Sequence, residues 1–272
     1  MEKEKVILIT GASSGIGLAC ARHLKEKGFQ VYGTTRRKEF TDQEFQYPLL
    51  SLDVCVEDDG TRVITDVLER AGRLDVLINN AGFGIAGPIE ETPISEIKAQ
   101  FEVNFYGLIR MCQAVIPVMR KQGGGLIINI SSIGGILSLP FQSAYSASKF
   151  AVEAITRAMR MELKGSKIKV TAVRPGDCCT DFTNRRRNLV TSKIYEEAFR
   201  RVLEVIEKNE REGMNPEKVA KLIEKIIHTP NPKANYAVGS FTEKLAICLE
   251  RILPSSYFER LLMGFYHMES KT

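Results

Sequence analysis

Short apolar runs rich in β-branched residues alternate with stretches of helical period along most of this chain, and no other feature constrains the fold as strongly. Strands are predicted at residues 5–10, 30–35, 48–52, 74–79, 126–131, 168–174 and 236–238. Helices are predicted between them, the clearest at residues 16–27, 95–121 and 143–164. Because parallel neighbours need a crossover, usually a helix, this order predicts a doubly wound α/β fold with a mostly parallel seven-stranded sheet and helices on both faces.

The 272 residues are enough for one buried core, and no repeat or linker divides them. We expect one domain over residues 1–240 and an amphipathic helical extension over residues 241–272, broken at Pro254. The pattern loosens after Arg174, and no clear strand is visible over about 176–215. Since ligands bind at the carboxyl ends of the strands in such sheets, this segment and the extension are candidates for a substrate lid. For the extension, ordinary packing, a dimer contact and a lipid contact remain alternatives.

Composition argues against several classes of protein. The six cysteines are scattered without a CxxC pair and the chain has only three histidines, so neither a metal site nor a disulfide framework is expected. The net charge of +5 comes from mixed charges rather than a basic block, which disfavours nucleic-acid binding. The apolar run from Val6 to Thr10 is too short for a signal peptide, so a cytoplasmic protein is predicted. The uncharged stretch 122–148 is too often interrupted to span a membrane and is predicted to be core and active-site wall.

A glycine-rich turn follows the first predicted strand and opens a helix, in the sequence from Thr10 to Gly17. Gly11, Gly15 and Gly17 let the backbone approach a diphosphate, and the helix N-terminus offers free N–H groups to an anion. The turn therefore predicts a dinucleotide site. No carboxylate stands at the end of the second strand, where NAD-binding chains place one for the ribose hydroxyl. Arg36 and Arg37 stand there instead, with a hydroxyl available from Ser13, and this predicts NADP(H).

A candidate reaction centre is formed by Tyr145 and Lys149, which lie four residues apart on one helix face. An ammonium beside a phenol favours the phenolate, so we expect Lys149 to lower the pKa of Tyr145. Ser132 follows the strand 126–131 and is expected to converge on the same place.

These motifs, in this order over residues 5–180, resemble the short-chain dehydrogenase/reductase family, and the hydroxysteroid and retinol dehydrogenase branches in particular. The resemblance implies a Rossmann-type domain and hydride transfer between NADP(H) and a carbonyl or alcohol. It implies that Tyr145 is the general acid or base, that Ser132 binds the substrate oxygen, that Lys149 holds the nicotinamide ribose and that Asn104 supports a water relay. Further cofactor contacts are implied at Ser14, Ile16, Asp53, Val54, Asn80, Ala81, Gly82, Pro175, Gly176 and Thr180.

The chain departs from the family pattern at Asp177, Cys178 and Cys179, where small or aliphatic residues are common, and we expect the two thiols to be small buried apolar groups. Apolar residues before Tyr145 favour a lipophilic ketone or aldehyde as substrate. A 3-oxoacyl thioester reductase, whose acyl carrier would contact Arg185, Arg186 and Arg187, is an alternative, and so is a non-catalytic NADP(H)-sensing protein. The family resemblance also implies a homodimer or homotetramer. Membrane contact through Leu261, Leu262, Phe265 and Tyr266 is a further possibility that the sequence leaves open.

Overall fold

The computed structural model describes residues 4–37 and 45–268. Its strands are β1 (Val6–Ile9), β2 (Gln30–Thr35), β3 (Leu49–Ser51), β4 (Val76–Asn79), β5 (Ile85–Ala86), β6 (Gly125–Ile130), β7 (Ile168–Pro175), β8 (Arg187–Asn188) and β9 (Asn235–Val238). Seven of them form one sheet in the order β3-β2-β1-β4-β6-β7-β9. Every neighbouring pair in this sheet is parallel, which confirms the predicted doubly wound α/β fold.

The helices are α1 (Gly15–Glu26), α2 (Asp59–Ala71), α3 (Ile94–Phe101), α4 (Gly107–Lys121), α5 (Ser143–Glu162), α6 (Phe182–Arg185), α7 (Lys193–Arg211), α8 (Glu217–Ile227), α9 (Phe241–Ile252) and α10 (Ser255–Phe265). Two apolar clusters show how they cover the sheet. Helices α1 and α8 pack on one face, and α2, α4 and α5 pack on the other. Both faces of the sheet are therefore buried.

The side chains of strand β1 explain why the strands are continuous apolar runs in the sequence. Val6 and Leu8 belong to the cluster on one face, whereas Ile7 and Ile9 belong to the cluster on the other. All four side chains are at most 1% exposed. Since successive side chains of a strand point to opposite faces, a strand covered on both sides needs an apolar residue at every position.

The helix predicted over residues 95–121 is interrupted in the structure. Helix α3 ends at Phe101, a π-helical turn occupies Glu102–Tyr106, and α4 continues to Lys121. Such a turn inserts one extra residue into the helix and is frequent at functional sites. Asn104, to which the family resemblance assigns the support of a water relay, lies at its centre.

The segment 176–215 contains structure that the sequence did not reveal. Helices α6 and α7 flank β8, which pairs in parallel with β5 in a separate two-stranded sheet. A strand of two residues is too short to carry a period, so periodicity could not predict it.

The two helices of the C-terminal extension are present, with a break at Pro254, as predicted. The apolar patch predicted on the second helix is divided. Tyr266 is 8% exposed and packs with Leu262 against α7, whereas Leu261 and Phe265 are about half exposed. Within the described residues, no helix is both long and apolar enough to cross a bilayer.

Candidate active site

A cavity of about 930 Å³ lies at the carboxyl ends of β1, β2, β4, β6 and β7. Its volume falls at the upper end of the range for ligand sites. All of the predicted site residues line this cavity except Gly17 and Asn104, which lie behind its wall. The structure therefore brings together side chains that are up to 169 positions apart, from Gly11 to Thr180.

The glycine turn forms one end of the cavity. Gly11 and Gly15 have positive φ angles of 66° and 55°, which glycine adopts at low cost. A Cβ on Gly17 would lie 2.3 Å from the Gly11 carbonyl oxygen, so the turn can close only with glycine there. Asn80 fixes the turn to the end of β4, because its Nδ2 donates to the carbonyl oxygens of Thr10 and Gly11 at 3.0 Å.

The first turn of α1 points into this end of the cavity and contains no acidic side chain. Its amide N–H groups lack partners within the helix, and the helix dipole adds partial positive charge. The turn thus fits the diphosphate of a dinucleotide, which would bind to these backbone donors.

Two basic residues follow β2 at the cavity wall. Arg36 and Arg37 are both exposed and line the cavity. Beside them, Thr35 Oγ1 donates to Ser13 Oγ at 3.0 Å and accepts a hydrogen bond from the Arg37 amide at 3.1 Å. A guanidinium and two hydroxyls at this position suit a phosphate group.

Asp53 and Val54 form the wall beyond β3. The Cys55 amide donates to Asp53 Oδ1 at 3.0 Å, and the Asp53 amide donates to Asp59 Oδ2 at 3.0 Å. These two bonds fix the loop, and they use only one carboxylate oxygen of Asp53, Oδ1.

Tyr145, Lys149 and Ser132 meet at the middle of the cavity. Ser132 caps a short 3₁₀ turn (Ile133–Gly135), its Oγ accepts from the Gly134 amide at 3.0 Å, and its hydroxyl lies close enough to the Tyr145 phenol to lower the pKa of that phenol. Lys149 Nζ donates to the Ile130 carbonyl oxygen at 2.9 Å and lies 6.0 Å from the centre of the Tyr145 ring. The strand end and the helix therefore converge as predicted.

The protonation of Tyr145 differs from the sequence-based expectation. Burial raises the pKa of Tyr145 to about 12, the nearby Ser132 hydroxyl opposes this shift, and the Glu210 carboxylate adds to it. Burial also lowers the pKa of Lys149 to about 8, so the lysine carries less than a full charge near that pH. The net shift of the Tyr145 pKa in the protein alone is therefore upward, opposite to the direction expected from Lys149, and the phenol keeps its proton at neutral pH. A phenol that holds its proton is the form that a proton donor needs.

Asn104 supports the catalytic helix from behind. Its Oδ1 accepts from the Phe83 amide at 3.0 Å, and its Nδ2 donates to the Phe83 carbonyl oxygen at 3.0 Å and to Ser148 Oγ at 3.1 Å. Ser148 Oγ in turn donates to the Tyr145 carbonyl oxygen at 2.7 Å. Asn104 therefore positions the helix turn that carries Tyr145.

The sequence predicted that the segments after Arg174 cover the substrate, but it did not identify the residues that form the wall opposite the glycine turn. Asp177, Phe182, Ile206, Glu210 and Tyr266 line it, and the Phe182 ring lies 5.9 Å from the Tyr145 ring. Two of them had a signal in the sequence, Asp177 as a departure from the family pattern and Tyr266 as part of the C-terminal apolar patch. Burial raises the pKa of Asp177 to about 7, and the nearby Glu243 and Glu210 carboxylates add to the shift.

The neighbouring cysteines differ in exposure. Cys178 is 7% exposed and packs with the core, and burial raises the pKa of its thiol to about 12. Cys179 is exposed. The prediction of a small buried apolar group is confirmed for Cys178 and wrong for Cys179.

The three consecutive arginines do not form one basic surface. Arg186 is 7% exposed and pairs with Glu210, Arg187 pairs with Glu96 at 2.7 Å, and Arg185 donates to Ser14 in the glycine turn. A carrier protein would therefore not meet the triplet as a single patch.

Comparisons with known proteins agree with this geometry. The family model for short chain dehydrogenases matches residues 5–190. A 3-ketodihydrosphingosine reductase of Bacteroides thetaiotaomicron is 42% identical over 96% of this chain and 98% of its own length. An NADPH-dependent 3-dehydrocapnine reductase of Ornithobacterium rhinotracheale is 30% identical over 93% of this chain and 96% of its own. The crystal structure of a short-chain dehydrogenase from Streptomyces avermitilis superposes with a TM-score of 0.82 at 33% identity, covering 97% of this chain and 99% of that one.

Proposed function

The chain belongs to the short-chain dehydrogenase family, an oxidoreductase family that acts on carbonyl and alcohol groups, and from this premise we propose that it uses NADPH to reduce the ketone of a long-chain lipid. The observation that carries the proposal is the convergence of the Tyr145 phenol, Ser132 and Lys149 in one cavity, between the glycine turn and an apolar wall. Reduction of a ketone needs a proton at the oxygen, and this phenol holds one.

The preference for NADPH is supported by the end of β2. Arg36 and Arg37 line the cavity where the ribose of a dinucleotide bound at the glycine turn would lie, and Ser13 adds a hydroxyl. A 2′-phosphate would gain charge-assisted hydrogen bonds there.

In the proposed mechanism the bound cofactor supplies the hydride to the carbonyl carbon. Ser132 Oγ and the Tyr145 phenol both hydrogen-bond the carbonyl oxygen, and Tyr145 transfers its proton to that oxygen as negative charge develops. Donors already in place stabilise this charge without reorganisation. Lys149 lies behind the phenol, so that an ammonium there stabilises the phenolate left after transfer, and Asn104 holds the helix turn in register.

The class of substrate is supported by the wall opposite the glycine turn and by the relatives. Leu139, Phe182, Ile206 and Tyr266 give this wall an apolar surface beside Tyr145. The name of the relative with 42% identity refers to a ketone of dihydrosphingosine. We therefore propose 3-ketodihydrosphingosine or a similar long-chain ketone as the substrate.

A comparison of substrates tests this proposal. The purified enzyme would be assayed for NADPH oxidation with 3-ketodihydrosphingosine, a decalone and an acetoacetyl thioester. We expect the highest kcat/KM with the long-chain ketone. A higher kcat/KM with the thioester would overturn the lipid assignment in favour of a 3-oxoacyl thioester reductase, and no oxidation with any ketone would overturn the reductase proposal itself.

A second measurement tests the cofactor. Arg36→Gln is expected to lower kcat/KM for NADPH about 10- to 100-fold, the value of a charged hydrogen bond, and to leave NADH nearly unchanged. Arg120→Gln, which removes an exposed arginine at the far end of α4, is the matched control. An equal loss of kcat/KM with both cofactors would contradict the proposal that Arg36 binds the 2′-phosphate.

A further inference from the structure

We propose that Arg185 is a cofactor-binding residue, whose guanidinium closes over the diphosphate of the dinucleotide and so ties the segment that covers Tyr145 to the loaded cofactor site. This inference rests on the proposed function only in requiring a dinucleotide at the glycine turn. It does not depend on the identity of the substrate.

The geometry places Arg185 at the glycine turn from the opposite wall of the cavity. Arg185 Nη1 donates to Ser14 Oγ at 3.0 Å across 171 positions of sequence. Both residues line the cavity. Ser14 is the N-cap residue of α1, yet its side chain makes no capping hydrogen bond to the helix. Its hydroxyl faces the guanidinium instead.

Electrostatics favours an anion between Arg185 and the N-terminus of α1. The N-terminus of a helix carries partial positive charge, so a cation beside it is disfavoured unless an anion lies between them. No acidic side chain stands in the first turn of α1. The carboxylate paired with Arg185 is Asp181, at 3.6 Å, and both side chains are more than half exposed, which makes the pair weak. An anion held jointly by the α1 N–H groups and Arg185 would satisfy all of these groups.

The two neighbouring arginines are engaged elsewhere. Arg186 is buried against Glu210, and Arg187 pairs with Glu96 while its guanidinium lies 5.0 Å from the Phe83 ring centre. Arg185 is thus the member of the triplet whose charge is directed at the cofactor end of the cavity.

The same short helix reaches the reaction centre. Helix α6 has four residues, from Phe182 to Arg185. The Phe182 ring at its start lies 5.9 Å from the Tyr145 ring. A contact that fixes Arg185 at its other end therefore fixes the aromatic wall beside the phenol, so that binding of the cofactor completes the substrate side of the cavity.

Cofactor binding without substrate tests the proposal. The dissociation constants of NADPH and NADH would be measured by fluorescence titration for the wild type, Arg185→Gln and Arg185→Lys. We expect Arg185→Gln to weaken both cofactors by the same factor, about tenfold or more, because the diphosphate is common to both. Arg185→Lys should recover part of the loss, since it keeps the charge but not the guanidinium fork.

Arg200→Gln is the matched control, because it removes an exposed arginine from α7 that pairs with Glu204 far from the glycine turn. Its dissociation constants should stay within about twofold of the wild type. A change of less than about twofold for Arg185→Gln would overturn the proposal. A loss confined to NADPH would also overturn it, because Arg185 would then bind the 2′-phosphate.

Hydrogen exchange tests the coupling to the covering segment. NADPH should slow amide exchange over residues 182–192 in the wild type and much less in Arg185→Gln. Equal protection in the two proteins would overturn the coupling. Thermal midpoints of the cofactor-free proteins should be equal, and a lower midpoint for Arg185→Gln would assign Arg185 a structural role instead. Since none of these measurements uses a ketone, a wrong substrate assignment would leave their outcome unaffected.

Discussion

The two halves of the cavity are held in place in different ways. The cofactor half consists of the glycine turn, the end of β2 and the Asn80–Gly82 segment, and hydrogen bonds between strand ends fix it, such as those from Asn80 to Thr10 and Gly11. The substrate half consists of Leu139, Asp177, Phe182, Ile206, Glu210 and Tyr266, which come from segments after β7 apart from Leu139. Side-chain packing, ion pairs and the two-residue pairing of β8 with β5 hold these segments. The cofactor half is therefore part of the sheet, whereas the substrate half consists of segments attached to the sheet.

This difference separates binding of the cofactor from selection of the substrate. Strand ends buried in the sheet can move little without unfolding, so the cofactor site is preorganised. Segments held by one short strand pairing and a few side-chain contacts open at lower free energy. Related chains can then change the attached half, and with it the substrate, while the half in the sheet stays the same.

The largest expected effect comes from Tyr145, which lies at the boundary between the halves. Tyr145→Phe removes the proton donor and should lower kcat about 10²- to 10⁴-fold, the usual contribution of a general acid. The dissociation constant of NADPH should stay within about twofold, because the glycine turn and Arg36 are untouched. Steady-state kinetics and fluorescence titration would measure the two quantities.

Tyr257→Phe, at a tyrosine that is 62% exposed on α10, is the control and should leave both quantities unchanged. If Tyr145→Phe weakened NADPH binding as much as it lowered kcat, the two halves would not be separable at this residue.

A second prediction compares the buried ion pair of each half. In the sheet, Arg174 donates to both Glu153 oxygens at 2.6 and 2.8 Å and to Asn235 Oδ1 at 2.8 Å. In the substrate half, Arg186 pairs with Glu210, but the Nε and Nη1 atoms of Arg186 have no hydrogen-bond partner among the described residues. The first pair is fully satisfied, whereas the second is not.

Glu153→Gln should lower the free energy of unfolding by about 3–5 kcal/mol, because Arg174 is 2% exposed and has no route to water. Glu210→Gln should lower it less, because Arg186 belongs to a segment that can open and hydrate the guanidinium. Its main effect should be faster hydrogen exchange over residues 182–211. Urea denaturation and hydrogen exchange would measure both, and an equal loss of global stability would contradict the difference drawn between the halves.

Much of the cofactor half was predictable because each of its parts is local in sequence. The glycine turn directly follows a strand, Arg36 directly follows another, and Tyr145 and Lys149 are one helical turn apart. The alternation of strands and helices likewise predicted the sheet and both of its covered faces.

The individual residues of the substrate half were not predictable, because their contacts join positions that are far apart in sequence. The contact from Phe182 to Tyr145 and that from Arg185 to Ser14 join positions 37 and 171 residues apart, and no local period encodes them. The protonation of Tyr145 was mispredicted for a related reason. Its pKa depends first on burial and on Glu210, which the spacing of tyrosine and lysine does not report.

The smallest expected effect concerns Asp177, whose carboxylate places a charge from the substrate half near the Tyr145 phenol. Burial raises the pKa of Asp177 to about 7, with contributions from Glu243 and Glu210 that raise it and from Arg186 that lowers it. Below that pH Asp177 is neutral. Above it, the carboxylate is charged and raises the pKa of Tyr145. Reduction needs the protonated phenol, so activity is lost as the pH rises through the pKa of Tyr145.

Asp177→Asn stays neutral at every pH, so the phenol should lose its proton at a lower pH than in the wild type. The basic limb of the kcat/KM profile should move to lower pH, whereas the profiles should coincide below about pH 6, where both side chains are uncharged. Profiles from pH 5 to about 12 would measure this, with Glu197→Gln, an equal charge change on the exposed face of α7, as the control. A basic limb that stayed in place would mean that Asp177 does not influence the phenol, and the substrate half would then act on the reaction through shape alone.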